Sequence, residues 1–140
     1  MRAVIFLLLL TIIFVLPLGF LAATYPISWT PERVQRILGQ ESSSKFTVTF
    51  ATNTKLENVD LWIAPELQPF MALDRPHFDT LLANTSHRIG LYFYIPSGTQ
   101  TGLYRGTIGL RVGSTTYFQT LKIELQIVDE PEMIEPKECC

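Results

Sequence analysis

The sequence predicts an all-β protein, an antiparallel two-sheet sandwich of about seven strands preceded by an N-terminal hydrophobic helix. Three observations carry this. From Tyr104 to Val128 apolar and polar residues alternate with a period of two, the mark of strands with one face buried. Similar runs recur between clusters of Gly, Pro, Asn and Ser, which punctuate strands. An apolar run over residues 3–23, broken only by Thr11, Pro17 and Gly19, stands apart from all of this.

That run follows Met1-Arg2, a short positive start, and ends in Leu21-Ala22-Ala23, so residues 1–23 read as a secretory signal cut near Ala23. Its length of roughly 20 residues equally suits a retained membrane anchor. Both readings place the domain outside the cytoplasm, secreted or tethered at the cell envelope. Residues 24–128 form the sandwich, and residues 129–140 an acidic, Pro-containing tail.

Thr24 to Pro31 is short and Pro-punctuated, like an edge strand or lead-in. Residues 31–38 fit two elements. Thr30 as N-cap, Pro31 as first residue and Gly39 as stop suit a two-turn helix, whereas Val34, Arg36 and Leu38 alternate as a strand does, and the β pattern elsewhere favours the strand. Lys45 to Thr52 turns Phe46, Val48 and Phe50 inward. After a turn at Asn53-Thr54-Lys55, Val59, Leu61 and Ile63 line the next strand, with Trp62 on its opposite face. Pro69 and Pro76 make residues 66–85 irregular, and Phe70, Met71, Leu73, Phe78, Leu81 and Leu82 are expected to cap one end of the core as a short strand and a loop. His87 to Pro96 points Ile89, Leu91, Phe93 and Ile95 inward and Tyr92 and Tyr94 outward. Two long adjacent strands joined by a tight turn at Gly113-Ser114 close the domain. Tyr104, Gly106, Ile108, Leu110 and Val112 face inward on the first, and Leu121, Ile123, Leu125 and Ile127 on the second.

Residues 24–128 hold nine Lys or Arg against eight Asp or Glu, so no basic stripe exists to neutralise a phosphate backbone, and no nucleic acid is expected as partner. The tail carries Asp129, Glu130, Glu132, Glu135 and Glu138 against Lys137 alone, and reads as a solvated linker. The only cysteines, Cys139 and Cys140, are adjacent at its end. Neighbouring cysteines bridge each other only with strain, so in an oxidising compartment they suit an intermolecular disulfide and a linked dimer, or else have no role.

A nucleophile needs a base beside it, and the two histidines, His77 and His87, lie in no nucleophile, metalloprotease or phosphate-loop motif. Asp74, His77 and Asp79 are the best metal set, with a spacing that matches no zinc or calcium motif. Glu57, Asp60 and Glu66, the nearest thing to paired glycosidase carboxylates, fall at strand ends and turns. No catalytic residue, metal or cofactor is expected, and the chain reads as a non-enzyme. Trp62, Tyr92 and Tyr94 point away from the core and are the candidate ligand-binding residues, because aromatics on an open sheet face stack on sugars or bury in a partner. Ordinary cross-strand packing is the plainer account of the same residues. Asn84-Thr85-Ser86 fits a glycosylation acceptor.

The run Pro96-Ser97-Gly98-Thr99 through Gly102-Leu103-Tyr104-Arg105-Gly106-Thr107-Ile108 resembles the closing half of immunoglobulin-like and fibronectin-type domains of bacterial exported proteins. In those a proline-ended strand, a polar loop and a G-x-Y-x-G stretch open the penultimate strand. The likeness spans roughly Thr30 to Asp129 and lacks the paired cysteines of antibody-type domains. It implies a spacer, adhesion or recognition module with no catalytic residues, Gly106 in a structural role, and Tyr104 as a tyrosine corner, ring buried and hydroxyl bonded to nearby backbone. The partner implied is a protein or glycan at the envelope. A retained anchor would instead fit an accessory subunit of a membrane complex.

Overall fold

In a computed structural model of the chain, residues 26–129 are described. The signal or anchor, the tail beyond Asp129 and both cysteines lie outside them. The described residues are all β, in two sheets, with no helix among them.

The four-stranded sheet has the order β1 (Ile27–Thr30), β3 (Ser43–Thr52), β7 (Ser86–Tyr94), β5 (Met71–Leu73), all antiparallel. The second sheet runs β2 (Arg33–Gly39), β10 (Leu121–Val128), β8 (Gly102–Val112), β4 (Leu56–Ile63), β6 (His77–Leu81), with the two-residue β9 (Thr115–Thr116) also on β8. Within residues 31–38, the chain is thus strand from Arg33 onward, not helix.

The alternation places the side chains as the sequence dictates. Val48 and Phe50, Val59 and Leu61, Ile89 to Phe93 at every second position, Ile108 and Leu110, and the four apolar residues of β10 are all buried between the sheets. Each buried aliphatic or aromatic side chain removes enough apolar surface from water to contribute about 1.5–3 kcal/mol. That sum, set against chain entropy, holds a body without internal disulfides together.

Four features depart from the sequence reading. The sandwich is not wholly antiparallel: β2 runs parallel to β10, Arg33 opposite Lys122 through Gly39 opposite Val128. The reason is the crossing at Pro31 and Glu32. There the Trp29 indole donates to Gln119 O at 2.9 Å, and Lys122 N donates to Glu32 O at 3.1 Å, so the chain leaves the β1 sheet and joins the edge beside β10. Of the two readings of this stretch, edge strand or lead-in, the structure has the edge strand, with Ile27 and Trp29 buried.

Residues 66–85 are more regular than the prolines imply. They form β5 on the edge of one sheet and β6 on the edge of the other, with Leu67, Phe70, Met71, Phe78 and Leu81 buried; Leu82 is exposed. Short edge strands tolerate flanking prolines, because only one side of the ladder needs donors. An immunoglobulin variable-type arrangement would extend the β4 sheet before crossing over. This chain visits β5 first and returns to β6.

Finally, the closing hairpin turns at Gly113, whose φ of +58° suits the glycine, but its return strand is interrupted. Thr116 pairs with Arg111 and Leu121 with Ile108, so five steps on one strand match three on the other. Two extra residues bulge out around Phe118, which is 93% exposed, and the inward phase survives because the insertion is even.

Candidate functional site

The aromatic residues that point outward are divided between the two outer faces. Tyr92 and Tyr94 lie on β7, in the four-stranded sheet, 42% and 54% exposed. Trp62 lies on β4, in the other sheet. The three do not form one surface.

Trp62 is also not open. It pairs with Gly109 of β8, and a Cβ at Gly109 would stand 2.7 Å from the indole Cε2, Cζ2 and Nε1 atoms. The missing side chain is the seat for the ring, and the buried indole Nε1 has no hydrogen-bond partner among the described residues. A glycine on the outward phase of the strand beside a tryptophan was the available signal.

Around the tyrosines the surface is built differently. Tyr92 pairs with Lys45 on β3 and with Ala72 on β5, and Tyr94 with Ser43, so small or flexible neighbours leave both rings uncovered. Lys45 Nζ stands 5.0 Å from the Tyr92 ring centroid, a cation–π contact at an exposed site. The Tyr92 hydroxyl first, and then the Asp74 carboxylate, hold the Lys45 ammonium above its ordinary pKa, so it is charged throughout the physiological range. Asp74 closes the floor: its Oδ1 accepts from Gly90 N at 2.8 Å, its own N donates to Gly90 O at 3.1 Å, and a Cβ on Gly90 would meet Asp74 Oδ2 at 2.8 Å. The result is a polar face bearing two aromatic rings, the Lys45 cation and the Asp74 carboxylate, with Arg88 exposed further along the same side of β7.

Asp74, His77 and Asp79, the metal set considered and set aside for its spacing, do not come together. Asp74 serves Gly90 on one sheet, while His77 and Asp79 stand on β6 of the other, where His77 Nδ1 meets Asp60 Oδ1 at 2.7 Å and Nε2 meets Asp79 Oδ1 at 3.2 Å. Among the described residues no group of three or more His, Cys, Asp or Glu is placed to hold a metal ion. Two of the three carboxylates considered for acid–base work are engaged elsewhere, Glu57 with Lys55 at 2.9 Å and Asp60 with His77, while Glu66 is exposed after β4.

The Asp60 hydrogen bond first, then Asp79, raises the His77 pKa above 6.5. A raised folded pKa means the stabilising charge is fully present below about 6.5 and is lost as pH climbs through the folded value. An imidazole titration by NMR is expected to show a raised midpoint for His77, and Asp60→Asn to bring it down. An unmoved midpoint in that variant would contradict the pairing.

Tyr104 donates its hydroxyl to Gln100 O at 2.8 Å, and its half-buried ring packs edge-on against Phe70, centroids 4.8 Å apart. That bond, four residues back along the chain, ties the loop before β8 to the strand. Gly106 faces inward, where a Cβ would stand 2.7 Å from Leu67 Cδ1 and Cγ. Asn84 is exposed in its turn with a φ of +55°.

No known sequence family matches the chain, and no curated protein does. In fold it is similar to a family 123 glycoside hydrolase from Clostridium perfringens, with TM-score 0.55, 10% identity, and coverage of 71% of this chain and 23% of that one. It is likewise similar to a protein of unknown function from Porphyromonas gingivalis W83, with TM-score 0.54, 18% identity, and coverage of 79% and 51%. A third similar structure is the sialic acid binding region of a Streptococcus sanguinis SK1 adhesin, with TM-score 0.51, 11% identity, and coverage of 74% and 29%. The chain spans about half of the Porphyromonas gingivalis protein and under a third of the other two, and at such identities the likeness establishes a shared β-rich, two-sheet fold.

Proposed function

We propose that this chain is a non-enzymatic, immunoglobulin-like recognition domain, displayed outside the cytoplasm, that binds a glycan with the outer face of its four-stranded sheet. The observation that carries the reading is the pair Tyr92 and Tyr94, solvent-exposed on one strand face with Lys45 against the first ring. Two rings two residues apart stand about 7 Å apart along a strand, a spacing that lets them contact successive parts of one ligand. Lys45 adds a donor and a positive charge beside them.

The non-enzymatic part of the reading rests on where the acids go. Glu57 and Asp60 are held by Lys55 and His77, and Asp74 is spent on the Gly90 backbone. The adhesin region of similar fold is a sialic acid binding region, and this likeness over 29% of that chain supports the reading by fold alone. Localisation rests on residues 3–23, whose composition supports export or anchoring.

Tyr92→Ala and Tyr94→Ala are each expected to weaken binding to any glycan that the full chain retains on an array by tenfold or more, since an aromatic anchor contributes about 1.4 kcal/mol or above. Thr107→Ala, on the opposite sheet, is the control. Unchanged binding in both tyrosine variants, with circular dichroism intact, would remove this face from consideration.

A further inference from the structure

The outer face of the second sheet is ordered in rows. Cross-strand register places Ile37, Gln126 and Leu103 side by side near the end of β10. The next row is Gln35, Glu124 and Arg105, and the next Arg33, Lys122 and Thr107. Ile37 and Leu103 are 69% and 52% exposed, two large apolar side chains flanking one glutamine. Below them lie three cations and one carboxylate. Glu124 is already shared, 2.7 Å from Gln35 Nε2, 3.3 Å from Arg105 and 3.9 Å from Arg33, and Gln35 first, then the two arginines, hold its pKa low. Among the described residues Lys122 makes no ion pair. The face therefore presents an apolar row followed, about 13 Å further along the strands, by unneutralised positive charge.

The chain itself supplies a segment of matching order. Beyond Val128, the last residue of the central strand of this face, come Asp129-Glu130-Pro131-Glu132, then Met133-Ile134, then Glu135-Pro136-Lys137-Glu138. We propose that this tail folds back across the outer face of the second sheet, with Ile134 between Ile37 and Leu103 and Glu138 at Arg33 and Lys122. The first four residues are enough to reverse direction, with Pro131 among them favouring a turn. In an extended segment Ile134, Pro136 and Glu138 share one side, and four residues span about 13 Å, the separation between the apolar row and the lower cationic row. Pro136 has no N–H and cannot extend a ladder, which suits a segment lying over a face rather than along an edge. Docked in this way, the tail shields the apolar pair and leaves Tyr92 and Tyr94, on the other sheet, uncovered.

The two cysteines at the end of the tail are the only ones in the chain, so they allow a direct test. In the full chain carrying Cys140→Ser, held in detergent micelles, a nitroxide is attached to Cys139 and amide intensities are compared before and after its reduction. Docking is expected to abolish most of the signal of Arg33, Lys122 and Thr107 while sparing Lys45 and Tyr92. The double variant Arg33→Glu, Lys122→Glu, at exposed positions, is expected to restore the lost intensity, as is high salt, which screens exposed charges. Intensity loss confined to the residues next to Val128, or equal on both sheets, overturns the proposal. Loss that appears when labelled protein is mixed with isotope-labelled, spin-free protein also overturns it, because the tail would then be reaching a second copy.

Discussion

Phe50→Ala is expected to lower the stability of the domain by about 3–5 kcal/mol. The residue sits on β3, one of the two inner strands of its sheet, and is buried. Its ring meets Trp29 of β1 at 5.1 Å, His87 of β7 at 5.6 Å and, edge-on, Phe78 of β6 at 5.6 Å between centroids. Phe78 belongs to the opposite sheet, so this one ring joins three strands of two layers. Truncation removes its transfer free energy and leaves a void bounded by three other rings, which cannot collapse into it without breaking their own packing. A domain of this size has on the order of 5–15 kcal/mol to lose. Chemical denaturation should therefore shift to a much lower midpoint with the same slope, while Phe50→Leu loses far less. A loss under about 1 kcal/mol for Phe50→Ala would show that the ring is not the joint described.

Gly106→Val is the second large effect, and it works by crowding. The inward position on β8 is occupied by Leu67, reaching down from the loop after β4, and a Cβ would lie 2.7 Å from two of its carbons and 3.1 Å from the Ala64 Cβ. Leu67 is wholly buried, so it has nowhere to withdraw. Overpacking of this kind costs about 1–3 kcal/mol. Leu67→Ala alone is expected to cost about 2–5 kcal/mol by opening a cavity. The double variant should cost less than the sum, because the valine methyls enter the space that the leucine vacates, giving a coupling of about 0.5–3 kcal/mol. Strict additivity in that cycle would mean the two side chains do not meet.

The phase of the long strands was legible because burial imposes a period of two wherever a strand has one wet face. Val48, Leu61, Ile89, Ile108 and Ile123 could each be assigned to the core without coordinates, and the structure buries them all. Direction was not legible. Alternation is the same whichever way a neighbour runs, so the parallel pairing of β2 with β10 left no trace in the pattern of either strand. Strand β2 was ambiguous for a further reason: its inward phase contains Arg36, whose guanidinium lies 4.4 Å from the Phe46 ring centroid at the rim of the core. An inward charge on an edge strand blunts that edge against further pairing and weakens the periodic signal. The short strands β5 and β6 were hidden by Pro69 and Pro76, which end ladders but do not prevent edge strands beside them. For the candidate site, the outward direction of Tyr92, Tyr94 and Trp62 was legible from phase, whereas their division between two sheets required knowing which strands pair.

The passage of the first strands from one sheet to the other has a mechanical consequence. Because β2 and β10 run the same way, the chain enters β2 at one end of the pair, at Arg33, and leaves β10 at the other, after Val128. A pull between those points drags β2 and β10 in opposite senses along their common axis. Their seven register pairs, from Arg33 with Lys122 to Gly39 with Val128, then bear the load together in shear, whereas an antiparallel pair pulled from one end would peel bond by bond. A domain held at its entry and drawn on from its exit is in that respect built as a load-bearing link.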